Sequence, residues 1–253
     1  MQVVTWNINS LTARAGNLVS FLDRVYPDVI CLQELKLAEE EIPFELFEER
    51  GYEVALHAQP RWNGVLIASL EPLDDVEVGL PDGDEGQARF VAATVGDLRL
   101  VDLYCPQGSR IGSEKFAYKL RFYEALLAWL ERRDPARPLL LTGDMNIAPA
   151  ARDLHDPEAF AGQVSFSPAE HAIWQRLLDW GLQDLAEPHL PPGTWTFWDY
   201  RTMGWQNKVG MRIDHFLGTA SVAARVQSCH VETEERGLAL ASDHAPVVLD
   251  LEE

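Results

Sequence analysis

Short apolar runs bounded by polar or turn residues recur along the chain. They lie at Gln2–Trp6, Val29–Leu32, Gly64–Ala68, Phe90–Val95, Leu98–Leu103, Leu139–Thr142, Ile213–Leu217 and Val247–Leu251. Runs of this length with such boundaries predict β-strands. Between them, apolar residues recur at helical spacing. Leu18, Phe21, Leu22 and Val25 do so within Leu11–Tyr26, and Phe116, Leu120, Tyr123, Leu127 and Leu130 within Ser113–Arg132. Ile173, Trp174, Leu177 and Leu178 do so within Pro168–Trp180. Each set falls on one helix face, so these aromatics are expected to pack a core. Strands alternating with helices predict an α/β fold. The hairpin-like stretch from Gly64 to Leu103 predicts mixed sheets. No Pro/Gly/Ser linker, repeat or low-complexity tract interrupts the 253 residues, which predicts one domain over 1–253.

Hydrophobic residues make up 47% of the chain, enough for a core without staples. No apolar run reaches the roughly 18–20 residues of a membrane span. The start, MQVVTWNINS, has neither a basic segment nor a long apolar one, so no secretory signal is expected. Cys31, Cys105 and Cys229 are widely spaced and odd in number, which argues against a disulfide framework or a zinc cluster. Buried thiols in a reducing cytoplasm are the expectation.

The net charge of −19 disfavours a polyanionic partner at long range. Its distribution changes that picture. Residues 104–123 carry Arg110, Lys115, Lys119 and Arg121 against Glu114 alone, a net of +3. Residues 193–213 carry Arg201, Lys208 and Arg212 against Asp199, a net of +2. The acidic excess sits elsewhere, for example in Glu39, Glu40, Glu41, Glu45, Glu48 and Glu49.

The polar residues that follow the strand-like runs carry the chemistry, because α/β proteins place their sites in loops at strand ends. They are Trp6-Asn7-Ile8-Asn9, Gln33-Glu34-Leu35-Lys36, Tyr104-Cys105-Pro106-Gln107-Gly108, Gly143-Asp144-Met145-Asn146, Arg212-Ile213-Asp214-His215 and Ser242-Asp243-His244-Ala245-Pro246. Carboxylates and carboxamides are hard oxygen donors suited to Mg²⁺ or Mn²⁺. An Asp beside an Asn can orient and deprotonate water, and a His held by a carboxylate can donate to a phosphoryl oxygen. No Cys–His pair, serine-nucleophile motif or glycine-rich phosphate loop competes with that reading. Each piece alone has a plainer explanation: Gly-Asp-x-Asn as a turn or cap, Asp243 bonding its own backbone, Glu34 as an exposed strand end. Their joint occurrence, each after a strand, points to a metal-dependent phosphoester hydrolase.

The chain also resembles the exonuclease III/AP-endonuclease branch of the endonuclease–exonuclease–phosphatase superfamily, over nearly its whole length. Asn7, Glu34, Asp144-x-Asn146, Asp214 and Asp243-His244 match the superfamily skeleton. Three segments resemble the branch: Tyr104-x-Pro106-Gln107-Gly108, Lys115-Phe116-x-x-Lys119 with Phe122-Tyr123, and Trp195-x-Phe197-Trp198-x-Tyr200-Arg201 with Gly210-x-Arg212-Ile213-Asp214. The resemblance implies a four-layer sandwich of two packed mixed sheets flanked by helices. It also implies Mg²⁺-dependent incision of double-stranded DNA 5′ to abasic sites, with 3′→5′ exonuclease and 3′-phosphatase activity at blocked 3′ ends. The expected protein is a cytoplasmic monomer acting on the nucleoid.

The resemblance assigns roles as well. Glu34 is the main metal ligand with Asp243 near it, and Asn7, Asp144 and Asn146 adjoin the metal. Asp144 activates or orients water, while Asn146, Asn7 and Tyr104 hold phosphate oxygens or the nucleophile. His244 donates to the phosphate and is steadied by Asp214. Which residue is the base stays open. Phe197, Met211 and Ile213, with Trp198, match the wall of the abasic-sugar slot, a shape that would exclude normal nucleotides. Gln107, Lys115, Lys119, Arg201 and Lys208 are expected DNA contacts.

Three departures qualify these expectations. Leu35 replaces a small polar residue after Glu34, which would alter support at the metal. Cys105 precedes Pro106, and Met211 stands where some relatives carry a bulky aromatic, which softens the slot. The −19 charge predicts weak, strongly salt-sensitive binding to undamaged DNA. The alternatives are a phosphatase of the same superfamily acting on a small or lipid phosphoester, and a catalytically silent binding module. The branch segments disfavour the first, and the intact Glu34, Asp144, Asn146, Asp214 and His244 set disfavours the second.

Overall fold

In the computed structural model, which describes residues 1–83 and 86–252, the strands form two six-stranded sheets. In chain order they are β1 (Gln2–Asn7), β2 (Val29–Gln33), β3 (Glu53–His57), β4 (Val65–Ser69), β5 (Asp74–Val78) and β6 (Phe90–Val95). There follow β7 (Leu98–Tyr104), β8 (Leu139–Asp144), β9 (Leu182–Asp184), β10 (Asp214–Thr219), β11 (Val226–Val231) and β12 (Val247–Leu251). The first sheet runs β11-β12-β1-β2-β4-β3 and the second β5-β6-β7-β8-β10-β9. Both are mixed: β1 and β2 pair parallel, as do β7 and β8, and their other neighbours run antiparallel.

Strand alternation builds the layers. Val3, Val29, Cys31, Val65 and Ile67 of the first sheet face Val91, Ala93, Leu100, Leu140 and Phe216 of the second, and together form the central core. The intervening residues point outward. Val4, Trp6, Ile30, Leu32 and Leu66 pack under Leu18, Phe21 and Leu22 of the helix α1 (Leu11–Val25). Phe90, Val101, Leu103, Leu139 and Leu141 pack under two more helices, α2 (Glu114–Glu131) and α3 (Pro168–Trp180). The result is the expected helix–sheet–sheet–helix sandwich. Serines at the helix starts satisfy free amides: Ser113 Oγ accepts from Phe116 N at 3.2 Å, and Ser167 with Glu170 forms a reciprocal capping box on α3.

All eight strand-like runs are strands, extended by one or two residues at the polar ends of β1, β2, β7 and β8. β10 instead starts one residue later than expected, so that Asp214 begins a strand instead of following one. Those added residues include Asn7, Gln33, Tyr104 and Asp144, so the ladders run into the chemistry. β3, β5, β9 and β11, which the hydrophobic pattern does not predict, are the four sheet edges. Edge strands are half solvated and carry no continuous apolar run; β5, for example, is Asp-Asp-Val-Glu-Val.

Candidate active site

Register brings the polar strand ends level. Tyr104 on β7 and Asp214 on β10 both pair with Asp144 on β8, the strand between them. On the other sheet Asn7 pairs with Gln33, and Glu34 follows directly. Gly143 makes the approach possible: its φ is +124°, and a Cβ there would lie 2.0 Å from the Leu103 carbonyl oxygen. Glu34 and Asn146 are also left-handed, with φ of 57° and 51°. Non-glycine residues in this region cost energy and cluster where a side chain must be aimed.

Asn7 joins the two sheets. Its Nδ2 donates to Glu34 Oε1 at 2.9 Å and to Asp144 Oδ2 at 3.0 Å. Glu34 also takes the Lys36 ammonium at 2.8 Å and the Tyr104 hydroxyl. Burial opposes ionisation of Glu34, but Lys36 and Asn7 hold its carboxyl below the usual carboxylate range. Asn9 Nδ2 donates to Asp243 Oδ1 at 2.8 Å, and Asn9 Oδ1 receives Lys36. Asn146 N donates to Asp144 Oδ1 at 3.0 Å, and Asn146 Nδ2 to the Cys105 carbonyl at 3.0 Å.

His244 sits between two carboxylates. Nδ1 lies 2.8 Å from Asp214 Oδ2, and Nε2 lies 3.8 Å from Asp144 Oδ2. A carboxylate only accepts, so Nδ1 carries a proton and the ring is held in one orientation. Thr196 Oγ donates to Asp214 Oδ2 at 2.5 Å and accepts from the amides of Ile213 and Asp214, fixing the carboxylate in turn. Burial disfavours a charged His244, yet Asp214, with help from Asp144 and Asp243, raises its pKa to about 10. Burial pushes the Asp144 carboxyl up, as do Asp214 and Glu34, while His244 and Asn7 pull it down; the balance is about 7.

These groups open on a cleft of about 1060 Å³. Its lining includes four carboxylates, Glu34, Asp144, Asp199 and Asp243, against Lys36, Arg201 and the imidazolium of His244. One wall is apolar. Phe197, Met211 and Ile213 cluster with Leu154, Phe160 and Phe166, and the Phe197 ring lies 4.8 Å from that of His244. Trp62, which is 69% exposed, stands on the rim.

Asp144, Asp214 and His244 place one ligand atom each within 4.8 Å of the others. Asp214 and His244 already satisfy each other, and a cationic ring is a poor ligand. The oxygens of Glu34, Asp144 and Asp243, with the Asn7 amide, are the harder donors suited to a divalent cation, but among the described residues these three carboxylates do not close to the same distance of one another.

The structure thus brings together Asn7, Glu34, Tyr104, Asp144, Asn146, Asp214, Asp243 and His244. Phe197, Met211, Ile213, Gln107 and Arg201 line the same cleft. Lys208 is exposed outside its lining, and so is Lys115, which lies on a separate hollow beside Asp82 and Arg121. Three expectations need correction. Lys119 is fully buried in an ion pair with Glu170, so it cannot meet a DNA backbone. Trp198 is 4% exposed and packs edge-on against Trp205 behind the slot; only its amide serves the site, donating to the Asp243 carbonyl at 2.8 Å. Leu35, expected to alter support at the metal, has its side chain in the core under α1 beside Gly64 and outside the cleft lining. Asn9 and Lys36 stand in the strand-end segments singled out from sequence but carry no role there, and Thr196 has no signal in the sequence. Thr196 stands between the aromatics of Trp195-Thr196-Phe197, where alternation alone would have set it on the opposite face.

A sequence pattern described as the endonuclease/exonuclease/phosphatase family matches residues 4–244. The chain belongs to this family. It is 35% identical to an exodeoxyribonuclease III of Haemophilus influenzae, with 98% of each chain covered. Among solved structures, it matches a 3′ phosphatase from Neisseria bound to product DNA hairpin, with TM-score 0.96, 37% identity and full coverage of both chains. It also matches an AP endonuclease from Archaeoglobus fulgidus, with TM-score 0.95, 30% identity and full coverage of both. The family's fold is the four-layer sandwich described above. Among the described residues, no helix is long and apolar enough to cross a membrane.

Proposed function

We propose that this family member is a Mg²⁺-dependent DNA repair nuclease that incises double-stranded DNA 5′ to abasic sites and trims blocked 3′ ends. The observation that carries the reading is the contact between Phe197 and His244. It sets an apolar slot directly against the hydrolytic group. A sugar without a base fits such a slot, whereas an intact nucleotide would bring a base with it. Relatives named as exodeoxyribonuclease III, 3′ phosphatase and AP endonuclease support the substrate class.

Chain chemistry then follows from the geometry. Asp144, with its pKa near neutrality, takes the proton of the attacking water. His244, held cationic by Asp214, donates from Nε2 to a phosphoryl oxygen. The second Nδ2 proton of Asn146 and the Tyr104 hydroxyl orient the phosphate, while Asn7, both of whose amide protons go to Glu34 and Asp144, sets those two carboxylates. Water oxygen bonds to phosphorus as the bond to the upstream 3′ oxygen breaks, and that oxygen takes a proton from solvent water to become a 3′ hydroxyl. Glu34, Asp243, Asn7 and Asp144 would hold a divalent cation, which when bound would neutralise charge on the phosphate and the leaving oxygen. The four cleft carboxylates would otherwise repel a phosphodiester. Three buried free cysteines are consistent with a reducing cytoplasm, and we take the working form to be a monomer.

The test is incubation with a duplex carrying one abasic analogue, first in Mg²⁺ and then in EDTA. Incision 5′ to the analogue that EDTA abolishes is the expected result. Turnover of a soluble phosphomonoester with the abasic duplex left intact would contradict it.

A further inference from the structure

Asp144 and Asn146 stand on a loop whose three successive carbonyls each receive a buried side-chain donor. The Met145 carbonyl takes the Tyr123 hydroxyl. The Asn146 carbonyl takes Lys119 Nζ at 2.7 Å. The Ile147 carbonyl takes His215 Nε2 at 2.8 Å. Tyr123 and Lys119 come from α2, and His215 from β10. Loop carbonyls are usually left to solvent, whereas these are bonded from behind by groups the proposed chemistry does not use.

Lys119 is the centre of this arrangement. It also donates to the Gln107 carbonyl at 3.3 Å and pairs with Glu170. Lys119 and Glu170 are both fully buried. Glu170 in turn accepts from the amides of Ser165 and Ser167 at 2.9 and 3.0 Å and from the Ser167 hydroxyl at 2.6 Å. A buried pair of this kind contributes little net stability, because desolvation offsets the attraction. What it does supply is position. Lys119 holds the carbonyl of the Asn146–Ile147 peptide, while the Asn146 amide belongs to the preceding peptide, whose Met145 carbonyl Tyr123 holds. The two planes meet at the left-handed Asn146 Cα, so fixing one limits rotation of the other and of the side chain between them. The Asn146 amide is the group that donates to Asp144 Oδ1.

We infer that Lys119, anchored by Glu170, is a positioning residue that fixes the Asn146 carbonyl and, through the backbone at Asn146, the amide that holds the Asp144 carboxylate. This rests on the assignment of Asp144 and Asn146 to phosphodiester hydrolysis. Lys119 acts from behind the site and makes no contact with DNA.

The test is the double variant Lys119→Met with Glu170→Gln, which leaves no unpaired buried charge, assayed below its melting transition. On the abasic duplex, kcat falls about ten- to a hundredfold, as for other groups that orient a ligand set. KM stays within about twofold, and the salt slope of DNA binding is unchanged, since no phosphate contact is lost. In an Asp144→Asn background the same double change lowers the residual rate no further, because Lys119 acts through that carboxylate. Wild-type kcat in the double variant, a fully additive loss, or a raised KM with a salt slope smaller by about one would each overturn the inference. One readout is independent of activity. Hydrogen exchange at the Asn146 amide speeds up by about tenfold or more, while the β8 ladder keeps its protection. Unchanged exchange there overturns the inference, whereas an inactive wild type with accelerated exchange overturns only the assignment of the reaction.

Discussion

His244 Nδ1 lies 2.8 Å from Asp214 Oδ2 while Nε2 of the same ring faces Asp144 Oδ2 at 3.8 Å. One carboxylate therefore fixes the charge and tilt of the ring, and the ring in turn tempers the other carboxylate, which would otherwise be pushed still higher by burial. An acid poised high and a base poised near neutrality stand within one hydrogen-bond length plus about one ångström of each other, the separation of roles that hydrolysis at neutral pH needs.

The first prediction concerns this ring. Followed by NMR, His244 titrates near pH 10 in the wild type, and in Asp214→Asn its midpoint moves toward the ordinary histidine range of about 6.5. The folded value is raised, so protonation of His244 stabilises the fold. That contribution is complete below about pH 6.5 and is lost as pH rises through the folded value. The stability gap between wild type and Asp214→Asn should therefore shrink from pH 7 to 10. A gap that widens over that interval contradicts the pairing.

Thr196 Oγ serves three partners in a fully buried setting. Thr196→Val keeps the shape and removes all three bonds. Chemical denaturation should report a loss of about 1–3 kcal/mol, the cost of leaving buried groups unsatisfied. Wild-type stability would mean that the Asp214 carboxylate is held by other means.

The slot makes a claim about selectivity. Phe197→Ala opens the wall beside His244 and should lower the preference for an abasic over an intact nucleotide by about ten- to a hundredfold. Removal of an unpaired 3′ nucleotide should change far less. Competition between the two duplexes in one tube measures the ratio directly, and an unaltered ratio would move the discrimination to other residues.

The acidic surface sets the salt response. Affinity for undamaged duplex should fall steeply and linearly on a log–log plot against salt. Arg201, whose side chain is 88% exposed on the cleft rim, should account for about one unit of that slope when changed to Ala. High affinity that stays flat with salt would contradict the reading.

Legibility of the fold followed burial. The eight interior strands announce themselves as apolar runs because both faces of each are covered, by a sheet on one side and helices on the other. β3, β5, β9 and β11 lie at the edges and pair along one side only, so residues such as Glu77 and His230 interrupt the pattern. The site was legible for a related reason. Asn7, Glu34 and Asp144 each directly end or follow a buried strand, and Asp214 begins one. The pairing register, parallel between β1 and β2 and between β7 and β8 and antiparallel between β8 and β10, carries them level.

Side chains whose partners lie far along the chain were not legible. Lys119 sits among exposed charges in sequence and reads as a surface cation, yet its partner Glu170 is 51 residues away. Asn9 and Lys36 are 27 apart and meet only because β1 and β2 are neighbours. Trp198 carries the same signal as Phe197 one position before it; strand-like alternation turns one into the slot and the other behind it.

The central claim is that Asp144 performs the chemical step at an abasic site, and single-turnover incision compares it most directly. Wild type and Asp144→Asn are mixed in excess with a duplex bearing one abasic analogue in Mg²⁺, with binding measured in parallel. The wild type should give one product cut 5′ to the analogue. The variant should bind within about threefold of wild type and cut at least about a hundredfold more slowly, the scale of losing a general base. Incision at a near-normal rate in Asp144→Asn would contradict the account.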